Sequence, residues 1–192
     1  MPLREDTWAL SVCKRLNDSW SVTQRHKPKY EAICKKELPY RNEVFGYQAN
    51  KPIEHRTPEA YQTDVLVIEN RTDGTWIPRV VIECKLASIT THDAITYSAK
   101  AATHKQVHPY LRYGILIGAY KTVRFPLRLF RHGAYFDFMV AWRGQKTTRN
   151  EWQKFVQLIR REIRASQQTE RFLLRASDNP YTIIHRPLIF DR

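Results

Sequence analysis

Apolar positions recur along the chain with two different periods, and the switches between them outline the elements. Over residues 6–16, Trp8, Leu10, Val12, Cys13 and Leu16 fall at helical spacing and predict a short helix. Pro28 precedes a second helical pattern over 29–38, with Tyr30, Ile33, Cys34 and Leu38 as its apolar positions and Pro39 as its stop. Residues 44–49 predict a short strand, and 50–58, polar with two prolines, a loop. Two β-branched runs follow, 64–69 and 79–85, separated by the turn residues Asn70-Arg71-Thr72-Asp73-Gly74. They predict an antiparallel hairpin with both faces covered. The period turns helical again over 93–108, where Thr90 and Asp93 have capping-box spacing. A buried strand over 113–120 after that helix predicts a parallel crossover. Residues 135–142 predict another strand. Thr148 and Glu151 cap a long helix over 150–168, whose apolar stripe is Trp152, Phe155, Val156, Ile159 and Ile163. The order is helix, three strands, helix, strand, strand, helix. It predicts an α/β fold, a mixed central sheet flanked by helices. Residues 181–190 read as a strand or an extended arm. With no internal repeat or linker, residues 1–192 are expected to form one domain.

Charge adds a partner. The chain carries 32 Lys and Arg against 19 Asp and Glu, a net of +13. Residues 1–93 are almost neutral at +1, and residues 94–192 hold +12. A field of that sign attracts polyanions, nucleic acid first. Composition also excludes classes. No apolar run is long enough to span a membrane, and the first residues lack the order of a signal peptide. Three scattered cysteines make neither a disulfide framework nor a zinc knuckle. A cytoplasmic protein is expected. No phosphate-binding glycine loop is present, so no nucleotide cofactor is expected.

The strongest constellation is Asp64, Glu83 and Lys85. In a strand, positions i and i+2 share a face, so Glu83 and Lys85 project together while Cys84 points away to pack. A tight hairpin brings the start of its first strand, Asp64, beside the end of its second. Two carboxylates and an ammonium then converge on a sheet made otherwise of Val, Ile and Leu. Acids at the margin of a buried sheet want a cation, and oxygen ligands with open positions suit Mg²⁺. A metal held by Asp64 and Glu83 would lower the pKa of a bound water and stabilise charge on a phosphate. Lys85 would orient the water or neutralise developing charge.

Asp64, an 18-residue gap, and then Glu83-Cys84-Lys85 resemble the signature of the PD-(D/E)XK nucleases, with Thr63 where that family's Pro stands. The resemblance covers about residues 28–120, the expected core, and leaves 121–192 as basic elements for DNA contact or dimerisation. It implies a restriction-endonuclease-like fold. It also implies Mg²⁺-dependent hydrolysis of DNA, with Mn²⁺ able to substitute, leaving 5′-phosphate and 3′-hydroxyl ends. Many members carry another acid on the first core helix. Tyr30-Glu31-Ala32-Ile33-Cys34 resembles the start of that helix in Mrr-like nucleases, which makes Glu31 the candidate, with Glu37 and Glu43 as rivals. Gln106 and Tyr110 have the Gln-x-x-x-Tyr spacing of the RecB-like branch, although Pro109 interrupts the helix. For Gln106 this implies contact with phosphate or with metal-bound water.

The second half supplies candidate DNA contacts. Arg124, Arg128 and Arg131 alternate with apolar residues, and Arg143, Lys146 and Arg149 lie just before the long helix. Arg160, Arg161 and Arg164 lie outside that helix's apolar stripe. His104 and His108, four apart, and the nearby His92 lack the closed ligand shell of a zinc site and read as DNA contact or helix polarity. The sequence therefore points to a DNA endonuclease, first a type II restriction enzyme cutting duplex DNA as a homodimer, because symmetric cleavage needs two sites related by a twofold axis. A repair, junction-resolving or single-strand nuclease of the same fold is one alternative. A non-catalytic DNA-binding protein is another, and an RNA-binding or ribosome-associated protein a third.

Overall fold

The computed structural model describes residues 4–21, 29–41, 44–49, 51–54, 59–122 and 124–174. The first helical pattern becomes α1 (Glu5–Ser21), and its apolar stripe, Trp8, Ala9, Val12, Cys13, Leu16 and Trp20, is buried. The β-branched runs become β6 (Val65–Asn70) and β7 (Trp76–Leu86), paired antiparallel with Val65 opposite Ile82. Their ladder slips one position between Val67 and Ile68, where Pro78, lacking an N–H, lies opposite Ile68. The helix α2 (Thr91–Val107) returns the chain to β8 (Arg112–Gly118), parallel to β7. Thr90 and Asp93 form the expected reciprocal cap. A short helix α3 (Leu127–His132) then precedes β9 (Phe138–Ala141), parallel to β8. The last described element is α4 (Arg149–Leu174), capped by Thr148 and Glu151. The predicted arm over 181–190 lies outside the described residues.

The pattern over 29–38 is not a helix. It splits into β1 (Tyr30–Cys34), an edge strand antiparallel to β6, and the start of β2 (Glu37–Arg41). Tyr30, Ile33 and Cys34 satisfy helical spacing, but a run this short satisfies both periods. What decides is the open edge of β6, whose ladder β1 completes. Glu31 is therefore a strand residue, opposite Ile68. Residues 44–49 do contain a strand, β3 (Val44–Gln48), but part of the expected loop is its partner β4 (Lys51–Glu54). The strand β5 (Glu59–Gln62) pairs with β2. The sheet of five strands has the order β1-β6-β7-β8-β9, and β2–β5 and β3–β4 are separate ribbons.

Alternation along the strands divides the core in two. Val65, Val67, Val80, Ile82 and Cys84 face α1 and α4. Leu66, Val81, Tyr113, Ile115 and Ile117 face the side covered by α2, α3 and the β2–β5 ribbon. From α4, Phe155, Ile159 and Ile163 enter the first layer at 2% exposure or less, each contributing about 2 kcal/mol of apolar burial. The protein is thus an α/β structure with a mixed central sheet covered on both faces. Among the described residues no helix is long and apolar enough to cross a membrane.

Candidate active site

The parallel strands β7 and β8 end together, with Leu86 opposite Gly118, and the ladder of β6 begins at this same edge of the sheet. Asp64 stands one residue before the Val65–Ile82 pair, which places it beside Glu83. Its Oδ2 accepts the Cys84 backbone N–H at 2.8 Å. Glu83 lies on the α2 side of the sheet and is 1% exposed. The Tyr113 hydroxyl of β8 donates to Glu83 Oε1 at 2.6 Å. Burial and then the adjacent Asp64 carboxylate push the Glu83 pKa up to about 7. Cys84 faces the opposite layer and is fully buried, as alternation requires. The hairpin geometry read from the sequence therefore brings Asp64, Glu83 and Lys85 to one place.

Two groups at this site were not foreseen. Lys85 donates to Glu5 Oε1 at 3.2 Å and lies 3.5 Å from Asp93 Oδ1. Glu5 Oε2 also accepts the Leu86 N–H, so the first turn of α1 is fastened to the end of β7. Burial opposes the charge on Lys85, yet Tyr97 and Glu5 outweigh it and hold its pKa above the ordinary range. The signal for Glu5 was present in the sequence. It occupies the position one turn before Trp8 and Ala9, on the line of a stripe that is otherwise buried. The second group is Lys35, whose Nζ lies 2.6 Å from Asp64 Oδ1 and 2.7 Å from Asp6 Oδ1. Nothing in its local pattern marks it, because a turn between two strands places it.

Other candidates fall elsewhere. Glu31 is three ladder positions beyond the Cys34–Val65 pair and accepts a long bond from Asn70, about 13 Å along the strand from Asp64. Glu37 is exposed at the start of β2, and Glu43 lies outside the described residues. Gln106 is exposed in the last turn of α2, about 20 Å along that helix from Asp93. Tyr110 follows the end of the helix at His108, so this pair does not share one continuous helix. His104 is fully buried, and its Nε2–H donates to the Leu38 carbonyl at 3.0 Å. His108 does the same for Pro39 at 3.2 Å. These histidines fasten β2 to α2.

The basic candidates lie on the connections that follow β8 and β9, the strands that run parallel with β7. Arg124 lies in the loop after β8, Arg128 and Arg131 on α3, Arg143 and Lys146 in the loop after β9, and Arg149 opens α4. All six residues are exposed. Arg128 donates to the Ile89 carbonyl at the entry to α2. The loop after β9 is tied to α1, since Trp8 Nε1 donates to the Gln145 carbonyl and Arg15 to Thr147.

Asp64 and Glu83 suit a divalent cation chemically. Two adjacent carboxylates, one fully buried, repel one another, and a cation between them would relieve that repulsion. Among the described residues no group of three His, Cys, Asp or Glu side chains forms a complete ligand set. Mg²⁺ is commonly held by one or two carboxylates together with water and substrate phosphate, so the Asp64–Glu83 pair is of the kind that ion uses. No protein-family model matches the chain, and no curated protein matches its sequence.

Proposed function

We propose that the protein is a Mg²⁺-dependent DNA endonuclease with a restriction-endonuclease-like fold, and first a type II enzyme that cuts duplex DNA as a homodimer. One observation carries the reading: Asp64, Glu83 and Lys85 converge at the carboxyl edge of a mixed sheet whose β8 and β9 connections carry exposed Arg and Lys residues. Ligands of α/β sheets bind outside this edge. With the β2–β5 and β3–β4 ribbons between β1 and β6 set aside, the order α1, β1, β6, β7, α2, β8 supports it: α1 and β1 take the places in the family's order of helix, three strands, helix and strand that the sequence pattern assigns to residues 29–38 and 44–49. So does Glu5, an acid on the first core helix that touches Lys85.

A bound Mg²⁺ would supply positive charge at the scissile phosphate and lower the pKa of water. The chain's own groups have separate tasks. Asp64 and Glu83 hold the ion, and the Cys84 N–H and the Tyr113 hydroxyl fix their orientation. Lys85, kept charged, faces the phosphate or the attacking water, and Glu5 sets where its ammonium points. Arg124, Arg128, Arg143, Lys146 and Arg149 grip the backbone on either side, and Arg131 extends the grip along α3.

The test is cleavage of supercoiled plasmid in Mg²⁺ or Mn²⁺, alongside branched and single-stranded DNA. Wild type is expected to cut, EDTA to stop it, and Asp64→Ala and Lys85→Ala to lose at least a hundredfold in rate while retaining native circular dichroism. Preferred cutting of branched or single-stranded DNA would move the protein to the repair class. Undiminished cutting by Asp64→Ala, or binding without cutting of any substrate, would overturn the reading.

A further inference from the structure

The structure assigns Lys35 a role at the metal site: we propose that its ammonium is a built-in competitor for the divalent cation, holding Asp64 until the ion displaces it onto Asp6. This rests on the metal reading of Asp64 and Glu83 proposed above.

Three observations carry it. First, Asp64 has no idle oxygen. Oδ2 accepts the Cys84 N–H at 2.8 Å, and Oδ1 is met by Lys35 Nζ at 2.6 Å. A cation binding Oδ1 must therefore take the place of an ammonium already at full ion-pair contact. Second, Lys35 is put there at a conformational cost. Its φ is 51°, in the left-handed region that favours glycine, and its own N–H donates to the Asp64 carbonyl at 3.2 Å. Backbone and side chain together lock this residue against Asp64. Third, the ammonium has a second seat. Asp6 Oδ1 lies 2.7 Å from the same Nζ, and Asp6 is largely exposed. An ammonium leaving Asp64 keeps a carboxylate partner, so displacement does not strand a charge.

Lys85 differs. Its ion-pair partners are Glu5 and Asp93. The two lysines thus divide the work, with Lys85 facing substrate and Lys35 standing where the cation belongs. Exchange at Asp64 would make metal affinity weaker than two carboxylates would otherwise give. It would also leave the free protein with a neutralised acid in place of a bare one.

The experiment is calorimetric titration of the full chain with Ca²⁺, which tests ion binding apart from cleavage. Lys35→Met removes the competitor and is expected to tighten Ca²⁺ binding at least tenfold. Lys35→Gly does the same with the residue that the backbone angle favours, and covers the case in which Met fails to fold. Lys35→Arg keeps the ion pair and is expected to restore wild-type affinity. Lys36→Met makes an equal charge change next door, where the ammonium lies over the Trp76 ring, and is expected to stay within twofold of wild type. Unchanged or weaker binding in both Lys35→Met and Lys35→Gly would overturn the proposal while leaving the metal site intact. Equal tightening in Lys36→Met would overturn it in favour of a general field effect. No Ca²⁺ binding by wild type or any variant would overturn the metal reading itself.

Discussion

Glu83 is where the site costs stability. Its pKa of about 7 against an ordinary 4.5 means that the folded state keeps a proton the unfolded chain releases. Without metal, stability therefore falls as pH rises from about 4.5 through 7, and the full penalty is present above 7. Gln has the shape of the protonated acid and can still accept the Tyr113 hydroxyl. Glu83→Gln should match wild type at pH 4.5 and exceed it at pH 8 by up to about 3 kcal/mol. Urea denaturation in EDTA at the two pH values checks this, and a gap that does not widen with pH refutes it. The Asp64–Glu83–Lys85 group was legible in the sequence because strand alternation and hairpin register follow from covalent geometry. Glu5 and Lys35 were not read, because helix packing and a turn bring them in from outside the hairpin. Glu5 could have been found as an acid in line with a buried stripe, whereas Lys35 had no local signal.

At the scale of elements, the β2–β5 ribbon shows how a buried histidine can act as a fastener. Burial pulls the pKa of His104 down to about 4 from 6.5, with the Leu38 carbonyl opposing the shift. The folded protein therefore refuses a proton that the unfolded chain accepts, and stability is lost as pH falls from about 6.5 towards 4. His104→Phe gives up the bond to Leu38, costing about 1 kcal/mol at pH 7. It also removes the proton-linked loss, so its deficit against wild type should shrink by pH 5. Thermal denaturation at both values reads this, and a deficit that grows on acidification would contradict it. This ribbon is also where sequence reading failed. Leu38 is buried and matches helical spacing from Tyr30, but it packs as part of β2 against α2. The long elements were legible because α4 repeats its apolar period from Trp152 to Ile163 and β6 and β7 are bounded by turn residues. Short segments such as β1, β4 and α3 owe their form to neighbours distant in sequence.

On the scale of the whole molecule, the uneven charge acquires a place. The four described acids of the second half are engaged with partners other than the candidate DNA contacts. Asp137 and Glu162 hold Arg112, Glu170 holds Arg71 and Arg79, and Glu151 caps α4. Arg143, Lys146 and Arg149, in contrast, have no ion pair among the described residues. Removing all three by Ala substitution should lower the salt dependence of DNA binding, log K against log salt, by about 2 to 3. Folding stability should stay within about 0.5 kcal/mol for each exposed site. Fluorescence anisotropy with a labelled duplex in EDTA measures the slope, and an unchanged slope would remove these residues from the interface. The concentration of positive charge was legible from composition. Its place on the connections after β8 and β9 was not, because linear order does not say which strands run parallel.

The bond between Glu5 and Lys85 joins residues 80 positions apart. Closing so long a loop belongs to the cooperative fold as a whole and to no local fragment. Lys85 loses its carboxylate partner on α1 as soon as that helix lifts away. Asp6 leaves with it, since both acids lie in a single helical turn. Detachment of α1 would therefore take one carboxylate from each lysine in one event, leaving Lys85 with Asp93 and Lys35 with Asp64 alone. Lys35 would then have no second seat when a cation arrives, which makes cation affinity a reporter of whether the first helix has docked.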